Sequence, residues 1–160
     1  MIIFDLDGTL ADCEHRRHFV TDPLDVCNDC CADWKSFYMA CDQDKPIEPV
    51  CEIFRQLHLK FTEDSNEIHI WSGRCESTRK DTDIWLTYNL HPTKNWFHFL
   101  KMRPIGDSTP DDLLKEKWLD KALAEGKKID FVFDDRPKVT RMWRRRGVFV
   151  FDVNQSVKEF

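Results

Sequence analysis

The stretch Ile2-Ile3-Phe4-Asp5-Leu6-Asp7-Gly8-Thr9-Leu10 decides how the rest of this chain is read. An apolar run ends in two carboxylates two residues apart, and a Gly-Thr turn follows at once. Alternate side chains of a strand share a face, so Asp5 and Asp7 are expected to point the same way as the strand ends. Gly8 permits a tight turn, and the Thr9 hydroxyl can hydrogen-bond an anion beside it. Two acids at the carboxyl end of a strand can hold Mg2+ and can attack or protonate a phosphate. Taken alone, such a stretch also reads as a solvated acidic turn; three later segments answer it and argue against that reading.

The first of these is Glu67-Ile68-His69-Ile70-Trp71, an apolar strand followed by Ser72-Gly73-Arg74. A hydroxyl, a glycine and a guanidinium at a strand's end suit phosphate oxygens. The second is Asp111-Asp112-Leu113-Leu114-Lys115, which opens a helix running to about Ala124 and closed by Gly126. Lys115 stands four residues after Asp111 and so on the same side of that helix, although a lone lysine among charged neighbours is by default solvated. The third is Ile129-Asp130-Phe131-Val132-Phe133, a strand that again ends in acids, Asp134-Asp135.

Between these landmarks the chain alternates strand and helix. Residues 1–6 read as a buried strand; 50–59 as a helix with Val50, Ile53, Phe54 and Leu57 on one face; 77–88 as a helix with Trp85 and Leu86 inward. Residues 97–102 form a third strand, 138–145 a helix and 148–153 the last strand. This order implies an α/β fold with a doubly wound parallel sheet, in which ligands sit at the carboxyl ends of the strands. That rule gathers Asp5, Asp7, Ser72, Arg74, Asp134 and Asp135 around one crevice. The 160 residues fit one domain, with an insert over about 12–48 placed as a small helical cap. Within the insert, Trp34, Phe37 and Tyr38 share a helical face over 33–40, which suits core packing better than base stacking.

Composition narrows the classes. With 41% hydrophobic residues, twelve Phe and six Trp the chain is globular, and the aromatics are numerous enough for a homodimer face that nothing locates. A net charge of −5 argues against a broad electrostatic grip on nucleic acid. No stretch approaches the roughly 20 apolar residues of a membrane span, and no basic leader opens the chain. Seven cysteines without a secretory signal are expected to stay reduced in a cytoplasm. Cys27, Cys30 and Cys31 form one CxxC without the second pair a zinc site needs, so they read as small buried hydrophobes. Neither a GxxxxGK loop nor a GxGxxG fingerprint is present.

Three or four carboxylates with a Lys, a Ser and one or two Arg suit phosphoryl transfer. The four segments resemble, in order, the four motifs of the haloacid dehalogenase superfamily of phosphatases: Asp5-Leu6-Asp7-Gly8-Thr9, Ser72, Lys115 and Asp134-Asp135. A closer resemblance is to the 3′-phosphatase domains of phage polynucleotide kinase-phosphatases, carried by Trp71-Ser72-Gly73-Arg74, Gly106-Asp107-Ser108-Thr109, Asp111 to Lys115, Asp134-Asp135-Arg136 and Met142 to Val148. Between Gly8 and Ser72 the likeness is poor and this chain is longer. The resemblance implies that Asp5 is the nucleophile, that Asp7 is the general acid and base, and that Ser72 and Lys115 bind the phosphoryl oxygens. It further implies Mg2+ held by Asp5, the backbone carbonyl of Asp7 and Asp135, with Asp134 supporting its waters. Arg16 and Arg74 match substrate-contacting arginines, and Asp111 is expected to orient Lys115. The implied substrate is a 3′-phosphate on a nucleic-acid end or a nucleotide, in a cytoplasm (the host's if the chain is phage-encoded). A 5′-nucleotidase of the same superfamily is the alternative. A silent binding module fits poorly, because Asp5, Asp7, Lys115 and Asp135 are all present.

Overall fold

In the computed structural model, which describes residues 1–21, 33–61, 67–91 and 99–154, the apolar start of the chain forms the central strand of a five-stranded parallel sheet. Strand β1 (Ile2–Phe4) lies between β4 (Ile68–Cys75) and β6 (Phe131–Asp134); β5 (Leu100–Arg103) and β7 (Val150–Asp152) form the edges. The order β5-β4-β1-β6-β7 reverses direction at β1, as in doubly wound α/β proteins, so the expected fold class is the observed one.

Both faces of the sheet are covered, which is why its strands read as continuous apolar runs. Ile2 and Phe4 face the layer built by α2 (Glu48–Phe61) and α3 (Arg79–Leu90), packing with Val50, Cys51, Phe54, Trp85 and Leu86. Ile3, one residue out of phase, faces α4 (Asp111–Ala124) and α5 (Pro137–Arg145) among Leu119, Val139, Met142 and Trp143. On α2 the buried stripe is Val50, Cys51 and Phe54, with Leu57 packed beside it. Ile53, read from sequence as inward, is 42% exposed, because the buried stripe is centred on Cys51 and Phe54 and leaves Ile53 beyond its edge.

Strand β4 runs four residues past the expected end at Trp71. Ser72 pairs with Met102 and Cys75 with Arg103 across an irregularity, so Ser72-Gly73-Arg74 is a bulged strand end and not a loop. The insert is closed at its base by a short antiparallel pair that periodicity did not reveal, β2 (Ala11–Asp12) with β3 (Lys45–Pro46). Inside it lie a 3₁₀ helix (Glu14–Phe19) and α1 (Trp34–Met39), the latter capped by Asp33, whose carboxylate accepts from the Ser36 N–H at 2.9 Å. Cys41 and Cys51 are buried free thiols, whereas Cys27, Cys30 and Cys31 lie outside the described residues. Among the described residues no helix is long and apolar enough to cross a membrane.

Phe54 stands edge-on to Phe4 at 5.2 Å and joins helix to sheet. Phe54→Ala is expected to cost about 3–5 kcal/mol in urea unfolding, while Ile53→Ala stays within about 0.5 kcal/mol, reversing what the sequence stripe alone implies.

Candidate active site

Register builds the site. Phe4 pairs with Phe133, so the next residues along each strand, Asp5 and Asp134, emerge side by side; the Asp5 N–H is tied to the Phe133 carbonyl at 2.9 Å. Asp135 follows at the turn into α5. Oxygens of Asp5, Asp134 and Asp135 lie within 4.8 Å of one another, and among the described residues these are the acids that could share a metal. Lys115 enters from α4, its Nζ 2.9 Å from Asp5 Oδ1 and 2.8 Å from Asp134 Oδ2. Asp134 is the best satisfied of the three, accepting also from Trp143 Nε1 at 3.3 Å and the Arg136 N–H at 3.2 Å. Asp135 receives the Thr9 hydroxyl at 3.2 Å. Gly8 makes this approach possible: at φ 85° a Cβ there would stand 2.1 Å from Asp135 Oδ2.

Three carboxylates against one ammonium leave two negative charges in a buried site. Burial pushes the Asp5 carboxyl up to about 8, despite the pull of Lys115, with the neighbouring acids adding to the rise. Burial and then Asp134 push Asp135 up to about 7. For Lys115, burial opposes the charge, but the two carboxylates win and hold it above the ordinary lysine value. An all-oxygen cluster short of two positive charges fits Mg2+, which takes carboxylates and keeps several waters. The Asp7 carboxylate is not among these acids; the expectation for Asp7 concerns its backbone carbonyl.

The Asp7 carboxylate instead belongs to a second cluster. Its Oδ1 accepts from Arg16 Nη2 at 2.6 Å, Arg74 Nη2 at 2.6 Å and Arg74 Nε at 2.9 Å; no described protein donor reaches Oδ2. Burial works against this charge, yet the two guanidiniums hold the carboxyl below its usual value. Asp44 completes the group, accepting from Arg16 Nε and Nη2 at 2.7 Å each and from Arg74 Nη2. Arg16 also donates to the Phe37 carbonyl at 3.1 Å and lies 4.1 Å over the Phe37 ring. Both arginines are fully buried, so in this structure they face carboxylates and not the open crevice. A buried guanidinium requires such partners.

Ser72 is buried, and its Oγ accepts from the Arg74 N–H at 3.1 Å. Asp111 is not paired with Lys115. Its two oxygens are held by Arg103 and Arg136, and it lies against Gly73, where a Cβ would come within 2.6 Å of Oδ1. Although Asp111 and Lys115 share a helix side, the ammonium is drawn inward by the deeper acids while Asp111 stays at the rim.

Sequence reading missed Asp44, Arg103 and Arg136. Asp44 sits in the polar run Asp42-Gln43-Asp44-Lys45 and nothing there separates it from a solvated turn. Arg103 could have been found, since it ends an apolar strand as Arg74 does. Arg136 directly follows the acid pair.

The geometry and the fold together define a phosphatase of the haloacid dehalogenase superfamily. A hydrolase of that superfamily from Streptococcus pneumoniae shares the fold at a TM-score of 0.60 and 16% identity, over 94% of this chain and 82% of its own. Within the superfamily, the chain belongs to the polynucleotide kinase PNKP phosphatase domain family, which matches residues 1–157. A putative bifunctional polynucleotide kinase/RNA ligase of Autographa californica nuclear polyhedrosis virus is 37% identical over 78 residues, 43% of this chain and 11% of the relative. A chain of the Pnkp1/Rnl/Hen1 RNA repair complex superposes at a TM-score of 0.70 and 25% identity, over 98% of this chain and 43% of that one. This chain therefore spans less than half the length of both of these relatives.

Two measurements follow. Because Asp5 and Asp135 carry raised carboxyls, a cation has to displace their protons at low pH. The thermal stabilisation produced by Mg2+ is expected to grow from about pH 6 to about pH 9, and calorimetry should register proton release on binding. Asp44→Ala strands two buried guanidiniums with one carboxylate and is expected to cost about 3–5 kcal/mol in denaturant unfolding.

Proposed function

We propose that this chain is a Mg2+-dependent phosphomonoesterase that removes 3′-phosphates from nucleic-acid ends or nucleotides by way of an aspartyl-phosphate. The observation that carries the reading is Lys115 Nζ bridging Asp5 and Asp134 at 2.9 and 2.8 Å, beside Asp135, at the carboxyl ends of the central strands. Such a site presents a carboxylate nucleophile and positive charge to one incoming phosphoryl group. A nucleic-acid substrate is supported by membership in a family described by polynucleotide kinase phosphatase domains, and the 3′ position by the motif resemblance from Trp71 to Arg74 and Asp111 to Lys115.

In this mechanism an Asp5 oxygen attacks phosphorus, the bond from phosphorus to the 3′ oxygen breaks, and Asp7 gives its proton to the leaving alcohol. Asp7 then takes a proton from water as that water attacks the aspartyl-phosphate, which releases inorganic phosphate and restores Asp5. The unpaired Oδ2 of Asp7 is the oxygen free to carry this proton, and an approaching phosphate dianion raises its proton affinity against the two arginines. Ser72 and Lys115 bind the transferring oxygens, and Thr9 positions Asp135. Asp5 and Asp135 would hold Mg2+, with Asp134 supporting its waters, and the ion would supply charge neutralisation for the phosphoryl group. Arg16 and Arg74 act here by fixing Asp7, and Asp111 by fixing the arginines at the rim.

The test is phosphate release with Mg2+ from a 3′-phosphorylated oligonucleotide, 3′-mononucleotides and 5′-mononucleotides. Asp5→Asn is expected to abolish turnover with the fold intact by circular dichroism, and Lys115→Ala to lower kcat by roughly a hundredfold or more. Wild-type turnover in Asp5→Asn would sink the nucleophile assignment. Preference for 5′-mononucleotides would replace the 3′ reading with a nucleotidase.

A further inference from the structure

The cap helix α1 carries three aromatics that the structure divides into two kinds. Phe37 is buried beneath the Arg16 guanidinium, which ties the helix to the network around Asp7. Trp34 and Tyr38 lie outside it, their rings 5.9 Å apart at 32°, with Trp34 41% exposed. Sequence reading assigned all three to packing; only Phe37 is fully used for it.

The position of this pair relative to the reacting groups is what gives it meaning. The Tyr38 hydroxyl donates to the Gly73 carbonyl at 3.4 Å, and Arg103 Nε donates to the same oxygen at 2.9 Å. Gly73 directly follows Ser72, so Tyr38 reaches the rim one residue from the hydroxyl proposed to bind the phosphoryl group, and Trp34 stands beside Tyr38. Arg103 and the half-exposed Arg136 flank that rim through Asp111. An aromatic surface held beside guanidiniums matches a nucleotide, whose base offers a flat π-face while its backbone is anionic. A simple alkyl phosphate would have no use for it.

We infer that Trp34 and Tyr38 form a stacking platform for the base of the nucleotide that carries the scissile phosphate. The platform would select nucleotides over other phosphomonoesters without reading base identity, since every base has a π-face. This rests on the reading that the site takes nucleotide or nucleic-acid 3′-phosphates.

The experiment compares kcat/KM on matched pairs: a 3′-phosphorylated oligonucleotide with and without its terminal base, and a 3′-mononucleotide against ribose 3-phosphate. Wild type is expected to favour the base-bearing member by roughly tenfold or more, the worth of one stacked base. In Trp34→Ala that ratio collapses toward one, Trp34→Phe largely restores it, and Tyr38→Phe retains it because the ring remains. The inference is overturned if wild type shows no base preference, or if Trp34→Ala and Tyr38→Leu slow both members of each pair equally, which marks a structural role. If wild type instead hydrolyses glycerol phosphate and neither nucleotide pair, the substrate reading itself fails and the platform with it, a distinguishable result.

Discussion

Charge balance among buried groups governs this molecule, and two neighbouring clusters resolve it in opposite ways. Around Asp7, two carboxylates meet two guanidiniums, and the set is neutral without help. Around Asp5, three carboxylates meet one ammonium, and the set is short by two charges. The first can be desolvated at tolerable cost because each charge is paired and hydrogen-bonded. The second stays unfavourable until protons or a cation supply the difference, and its displaced carboxyl values express that deficit. One cluster is thus closed in charge and the other left open, though they share the turn between Asp5 and Asp7.

The closed cluster explains the cap. Arg16 belongs to the insert, Arg74 to the bulged end of β4, Asp44 to the return of the insert and Asp7 to the first turn. Trp85 of α3 adds a hydrogen bond from Nε1 to the Asp44 carbonyl at 2.6 Å, drawing the α2/α3 layer into the same set. Insert, sheet and helix layer therefore meet on one buried network around the Asp7 carboxylate. Arg16 forks both oxygens of Asp44, and Arg74 spans Asp7 and Asp44 at once, a geometry lysine cannot reproduce. The direction of the other Asp7 oxygen is set by whatever holds Oδ1.

The core was legible in the sequence for a physical reason. Strands buried on both faces must be apolar throughout, and functional groups must follow them at their carboxyl ends, so Asp5, Ser72 and Asp134 announce themselves by position. Lys115 was a weaker signal, since its helix is charged all along, and only the register of β1 against β6 reveals why one lysine turns inward. The insert was opaque because its order does not come from periodicity. Asp44 owes its place to two arginines distant in the chain, and the short β2–β3 pair is too brief to leave a pattern. Ile53 shows the same limit within a helix: the buried stripe is centred on Cys51 and Phe54, and hydropathy alone would have ranked the isoleucine above the cysteine.

Within the insert, the Asp33 N–H donates to the Phe19 carbonyl at 2.8 Å, so the chain leaves the 3₁₀ helix and returns at the same point in space. That bond pins positions 19 and 33 against each other, whatever length of chain joins them. Closing a loop twice as long costs only about 0.6 kcal/mol more. Residues can thus be gained or lost there without moving Arg16, Phe37 or Asp44, which lie on the inner side of the pin.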